Sequence, residues 1–492
     1  MALGANKAAL LGAAGSSTTS AYTIDQSIRF NQSDSAYLTK TFGGSASNRR
    51  THTYSFWVKL GANASGNSSS GGAHFISTND TGASAGDYLH LNGDLKLRYW
   101  SNESSASTFE TTQLFRDYSA WYHIVLVNDR DNSVGSEAVR VYVNGQRVTN
   151  FAVDNISGRK SQDTMVNASS FLWMIGRQTS GTVHSDCYMA DIVFIDGQAL
   201  GPSSFGEYSD DGIWRPKDVS GLTFGTNGFY IDGRDSSDLG DDESGQGNDF
   251  TASGLAAHDQ VFDTPTNNFA VINPIYADAT SLNSVTLSEG NLDIDATSSA
   301  FDMKGMTFNL PKSGKWYFEY TIGGAYDGFG FCVVGQEASI SASNGLGQLS
   351  TSQGGGIQYR GWRNGGNYTV TFSTYSSSSF TSGDIHQVAI DVDNGKWYYG
   401  ISNTYYANDG GTDGNPSSGT NHLTTFDFAG NDVVLMTAVS TDSDEEHWNF
   451  GQNGTFNGTK TAQGNSDAAG VGNFYYSVPS GYKALCSKNV GS

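Results

Sequence analysis

A period of two runs through most of this chain. In "HTYSFWVKL" (52–60), Tyr54, Phe56 and Val58 fall on one side while Ser55, Trp57 and Lys59 fall on the other. Such alternation distributes side chains over the two faces of a β-strand. "SIRFN" (27–31), "WYHIVLVND" (121–129), "AVRVYVNGQRV" (138–148), "SSFLWMIGR" (169–177) and "CYMADIVFIDGQAL" (187–200) read as further strands. Asn144-Gly145 is a hairpin turn, because Asn-Gly accepts the left-handed backbone of a two-residue loop. Polar stretches rich in Ser, Gly and Asn separate the strands, "GANASGNSSSGG" (61–72) being the longest. "LTF" (222–224) and "GFYIDG" (228–233) read as short strands, and "TPTNNFAVINP" (264–274) as a segment extended over the surface. The alternation restarts in "GKWYFEYTIGG" (314–324), "GFGFCVVG" (328–335), "HQVAIDVDNGKWYYGIS" (386–402) and "EEHWNFGQNGTF" (445–456). Only "NKAALLGAAG" (6–15) reads as helical. The pattern predicts an all-β chain of antiparallel strands packed as sandwiches.

Composition adds to this picture in three places. Aromatic residues make up 12% of the 492, too many for a disordered chain. Forty-nine acidic against 27 basic residues give a net charge of −22 without a basic stripe, which argues against a nucleic-acid partner. Cys187, Cys332 and Cys486 lack paired spacing and are expected as buried apolar residues rather than a zinc site or disulfide framework. No apolar run reaches the 18 residues of a membrane helix, so membrane insertion is not expected. Lys7 followed by "AALLGAAGSS" imitates a secretory signal weakly, and residues 1–21 are expected to form an anchoring arm.

Two family resemblances follow from quoted motifs. The order "YSFWVKL", "WYHIVLVND", "VRVYVNGQRV", "ADIVFIDGQAL" resembles the laminin G-like, or concanavalin A-like, jelly rolls over residues 22–208. "GKWYFE" (314–319), "VAIDVDNGKWY" (388–398) and "NFGQ" (449–452) resemble the opening, central hairpin and closing strand of SPRY sandwiches, over residues 285–492. The expected architecture is two tandem antiparallel β-sandwiches, with residues 209–284 as a β-rich connector. Either fold carries many functions, so the resemblance speaks to scaffold rather than activity.

Chemistry is sparse. The glycanases of the concanavalin A-like fold use E-x-D-x-x-E on one strand, and residues 22–208 lack it. In "DSDEEHWNF" (442–450), Asp442, Asp444 and Glu446 alternate onto one face beside His447, and are expected as solvated loop charges. The His residues are scattered and no G-x-S-x-G stands between a strand and a helix, so no enzyme is expected. "DSSDLGDDESGQGNDF" (235–250) offers Asp235, Asp238, Asp241, Asp242, Asn248 and Asp249 as oxygen ligands for Ca²⁺, the candidate ion. Its spacing does not fit an EF-hand loop, and the favoured reading is a turn-rich segment whose Asp and Asn side chains cap their own backbone. "GGGIQYRGWRNGGNY" (354–368) gathers Tyr359, Arg360, Trp362, Arg363, Asn364 and Tyr368 as candidate ligand contacts, of the residue types that stack on and hydrogen-bond to sugars. Trp57, Trp121, Trp173 and Trp316 sit in strand patterns and are expected to pack inside.

The pairing of these two modules with the closing "PSGYKALCSKN" (479–489) resembles the virion adhesins of tailed bacteriophages, particularly marine ones. That resemblance implies a non-enzymatic tail-fibre or capsid-fibre component. Its arm would hold other virion proteins, and its sandwiches a host-surface glycan or protein. A homo-oligomer is expected, a trimer being the candidate state. The alternatives are a capsid decoration protein that stabilises the particle and a secreted polysaccharide-active enzyme.

Overall fold

The computed structural model describes residues 22–490 except 44–47, 63–71, 80–85, 102–106, 169, 180–182, 278–284, 297–301, 324–327, 335–355, 359–367, 372–376, 408–410, 427–429 and 440–444. The chain forms two units, residues 1–268 with 288–290, and residues 269–287 with 291–492. Each is a β-sandwich of antiparallel strands. The helix-like stretch 6–15 lies outside the described residues.

In the first unit one sheet runs Gln146–Arg147, Val139–Val143, Tyr122–Asp129, Thr51–Leu60, Cys187–Asp196, Ser27–Phe30, Gln260–Val261, with Phe229–Ile231 also paired to Cys187–Asp196. The other runs Phe151–Asp154, Phe109–Leu114, Lys96–Trp100, Gly86–Leu91, His74–Asn79, Leu172–Ile175, Tyr37–Thr41, Thr251–Ser253. Between them lies an apolar core that includes Phe30, Tyr54, Phe56, Val58, Leu89, Leu97, Tyr99, Trp173 and Phe194. The Asn144-Gly145 hairpin forms as expected, with Gln146 opposite Val143 and positive φ at both turn residues. Trp57, Trp121, Trp173 and Trp316 are buried, and all three cysteines are buried thiols outside any disulfide.

Of residues 209–284, set apart by sequence as a connector, residues 209–268 supply strands to both sheets of this first unit. The reason lies in the strands they cover. Cys187–Asp196 is buried along its whole length. Its outward Val193 and Ile195, with Val125 and Val127, need an apolar cover, which Phe205, Val219, Phe224 and Tyr230 provide. "LTF" is not a strand: Phe224 accepts a single backbone bond from Asp196 and otherwise packs as a plug. The outward cations are covered likewise. Arg29 pairs with Asp259 at 3.2 Å, and Lys59 with Asp263 at 2.6 Å, with all four side chains buried.

In the second unit the smaller sheet runs Ile272–Ala277, Asp302–Leu310, Val433–Val439, Gly328–Val333, Gly356–Gln358. The larger contains Asp293–Ala296, Glu446–Asn449, Lys315–Thr321, Ile385–Asp391, Lys396–Ile401 and Thr404–Tyr406 in that order. The expected surface course of 264–274 is corrected: Phe269, Ala270, Val271 and Ile272 are fully buried. They lie in an apolar run whose backbone pairs with Leu485, Asn291 and Thr307 of this unit. Glu319, from the "GKWYFE" motif, is buried and accepts the backbone N–H of Tyr475 and of Tyr476, each at 2.8 Å, and the Tyr317 hydroxyl at 2.7 Å. A motif glutamate thus anchors the C-terminal segment to the sheet.

Candidate functional site

The described candidate ligands of the acidic segment act on their own backbone. Asp235 accepts the Ser237 N–H at 2.8 Å, and Asp238 accepts that of Gly240. Asp242 is the hub, taking the N–H groups of Tyr230, Ser244 and Asn248 at 2.9, 2.9 and 2.7 Å. Asn248 donates to the carbonyls of Thr226 and Gly228, and Asp249 accepts the Asp242 N–H. Asp241 is pushed up by desolvation and by its neighbour Asp249. This is the self-capping turn expected of Asp, Asn and Gly in such density. Gly240 is required where it stands, since a Cβ there would lie 1.9 Å from the Phe250 carbonyl oxygen.

Tyr359, Arg360, Trp362, Arg363 and Asn364 lie outside the described residues, and Tyr368 opens the strand Tyr368–Thr371. Asp442 and Asp444 are likewise outside them. Glu446 is buried in a strand rather than solvated in a loop, accepting from Thr437 Oγ1 at 2.6 Å and Trp448 Nε1 at 2.9 Å.

The polar cluster that the structure assembles lies elsewhere, on the outward face of the second sheet of the first unit. Register aligns His74 with His90, His90 with Arg98, and Arg98 with Glu110 across four adjacent strands. On the same face Tyr88 stands opposite Trp100. Leu89, Leu91, Leu97 and Phe109, one residue out of phase, point into the core. The imidazoles of His74 and His90 stack at 4.6 Å and 8°, with Tyr88 edge-on to His74 at 6.2 Å. This end is buried, and burial together with His74 holds the His90 imidazolium pKa well below its usual range. The other end is open: Lys96, Arg98 and Trp100 are each half-buried. Desolvation would raise the Glu110 carboxyl, but Arg98 at 2.9 Å and Lys96 at 3.4 Å outweigh it and hold it below the carboxylate range. The row therefore presents a fixed carboxylate, a guanidinium and an indole side by side.

Sequence reading passed over these four strands. Their signal was present in "YLHL" (88–91) and "KLRYW" (96–100), where polar and aromatic residues alternate with core leucines.

The fold of the first unit is a two-sheet antiparallel β-sandwich. Residues 30–202 match the model of the concanavalin A-like lectin/glucanases superfamily. No curated protein matches the chain. Among solved structures, the chain is similar to the SPRY domain of human HERC1, at 14% identity and a TM-score of 0.25, covering 36% of this chain and 96% of that one. The native heptameric SAP-like pentraxin from Limulus polyphemus is similar at 16% identity and a TM-score of 0.26, covering 37% of this chain and 80% of that one. A candidate carbohydrate-binding protein from Bacteroides ovatus is similar at 13% identity and a TM-score of 0.30, covering 47% of this chain and 58% of that one.

Proposed function

We propose that this chain is a non-enzymatic adhesin whose first sandwich binds a surface glycan at the open end of the His74–Glu110 row. The observation that carries the reading is the juxtaposition of Trp100 with Arg98 and Glu110 on a sheet face turned away from the core. An indole offers a flat apolar face to a pyranose ring, and fixed charged groups beside it take the hydroxyls; concave or planar sites of this mixed kind give orientation and specificity. The match of residues 30–202 to a lectin and glucanase superfamily supports the same ligand class. Binding without hydrolysis is favoured because Glu110 is held ionised by two cations. A glycosidase needs one carboxyl kept protonated to donate to the leaving oxygen.

The finer reading is a fibre component of a tailed-phage particle, with residues 1–21 as the arm that joins other virion proteins. It is supported by the module order and the closing "PSGYKALCSKN" segment. The test is binding of the full chain to a glycan array and to intact candidate host cells. Trp100→Ala and Arg98→Ala are each expected to weaken binding about tenfold or more, in line with 1–3 kcal/mol for a stacked or charge-assisted contact. Unchanged binding by both variants, or release of reducing sugar ends from a bound glycan, would sink the proposal.

A further inference from the structure

The second unit contains a cluster that the glycan reading leaves unused. Strand Asp293–Ala296 pairs antiparallel with Glu446–Asn449, which sets Asp293 directly opposite His447. One ligand atom each from Asp293, Glu445 and His447 lies within 4.8 Å of the others. Asp293 is buried, His447 half-buried and Glu445 exposed, so the group opens at the surface of the unit. His447 Nδ1 stands 2.6 Å from Asp293 Oδ1.

Three further features bear on what this cluster holds. Asp295 lies two residues along from Asp293, on the same face of its strand, so the ladder concentrates negative charge beside Glu445. Like charges gathered across neighbouring strands destabilise a sheet unless something of opposite sign sits among them. Lys460 contributes one positive charge near His447, fewer than the carboxylates present. Behind the cluster, Asn457 Nδ2 donates to Asp293 Oδ1, and Asn453 Nδ2 donates to Asn457 Oδ1 at 2.7 Å. Asn457 shares Oδ1 with His447, and a hydrogen bond of this kind holds the carboxylate in a fixed orientation, as outer groups do in metal centres.

We propose that Asp293, Glu445 and His447 bind a divalent transition-metal ion of the zinc or manganese kind. Two carboxylates and an imidazole are a donor set for such ions, whereas Ca²⁺ takes oxygen ligands alone. Around a four-coordinate ion with bonds of about 2.0–2.1 Å, neighbouring ligand atoms sit roughly 3.3 Å apart. The ligand atoms span from 2.6 Å, between Asp293 and His447, to at most 4.8 Å, so an ion would part that pair by less than the length of a bond and draw in the exposed Glu445 side chain. A fourth position is left to water or to a group outside the unit, because the described protein ligands number three. The site stands independently of the sugar-binding face and lies in the other unit.

The experiment is calorimetric titration of the full chain, stripped with EDTA and dialysed, with ZnCl₂, MnCl₂ and CaCl₂ in turn. One Zn²⁺ or Mn²⁺ per chain is expected to bind, more tightly than Ca²⁺. Glu445→Gln, at an exposed position, is expected to weaken that binding about tenfold or more without lowering the metal-free melting temperature, since it removes one of the repelling charges. His447→Ala is expected to abolish it. Absence of Zn²⁺ and Mn²⁺ binding, an affinity unmoved by Glu445→Gln, or tighter binding of Ca²⁺ would each overturn the assignment.

Discussion

Replacing Lys59 with methionine tests how residues 257–268 are held to the first sandwich. Lys59 points away from the core, yet its side chain and that of Asp263 are fully buried and 2.6 Å apart. The ammonium also donates to Asn268 Oδ1 at 2.8 Å, and Trp121 Nε1 donates to the second carboxylate oxygen at 3.0 Å. Burial lowers the lysine's pKa, and Asp263 works against that shift. Methionine fills the same volume but strands the Asp263 carboxylate without its cation. Removing one partner of a buried pair costs about 3–5 kcal/mol. With a urea slope of about 3 kcal/mol per molar for a unit of this size, the midpoint should fall by roughly 1–1.7 M. Adding Asp263→Leu to Lys59→Met removes the stranded charge and exchanges its cost for the loss of two neutral hydrogen bonds, those of Trp121 Nε1 and Asn268 Oδ1, about 1 kcal/mol each. The double variant should therefore be more stable than Lys59→Met alone. The assay is urea unfolding read by hydrogen exchange in peptides covering Thr51–Leu60 and residues 257–268, so that the first unit is followed by itself. A single variant within about 1 kcal/mol of the parent, or a double variant as unstable as the sum of the singles, would refute the reasoning.

Three further predictions rest on buried groups and close approaches. His52, His90 and His123 of the first unit all have pKa values lowered by burial, that of His123 to about 3, so the unfolded chain binds more protons below pH 6.5 and stability falls with acidification. Asp191, raised to about 7 by burial, opposes this with one proton; three against one leaves about 3 kcal/mol lost between pH 7 and 5, and a melting temperature flat or rising over that range would contradict it. Glu319→Ala leaves two half-buried backbone N–H groups without their acceptor and should destabilise the second unit by about 2–4 kcal/mol, with faster hydrogen exchange at Tyr475 and Tyr476; protection equal to the parent's would count against the anchoring role. Gly240→Ala forces a Cβ against the Phe250 carbonyl and should cost more than 2 kcal/mol in thermal unfolding, whereas Gly→Ala at an unstrained, open position costs nothing of that size.

The alternation of residues along single strands determined the fold class without help. Tyr54, Phe56 and Val58 against Ser55, Trp57 and Lys59 could only be a strand, and Asn144-Gly145 could only be its kind of turn. The self-capping behaviour of Asp235 and Asp238 was also local, because each bonds backbone two residues on, whereas Asp242 reaches back to Tyr230 as well. What alternation does not state is whether the second face of a strand meets water or more protein. Val125, Val127, Val193 and Ile195 needed a cover, and only the tertiary structure showed that Phe205, Val219, Phe224 and Tyr230 provide it. The same limit hid both candidate sites. His74, His90, Arg98 and Glu110 come from four strands, and Asp293 meets His447 across 154 residues of chain. Register between strands, set by the packing of whole sheets, brings such residues together, and no spacing along the sequence records it.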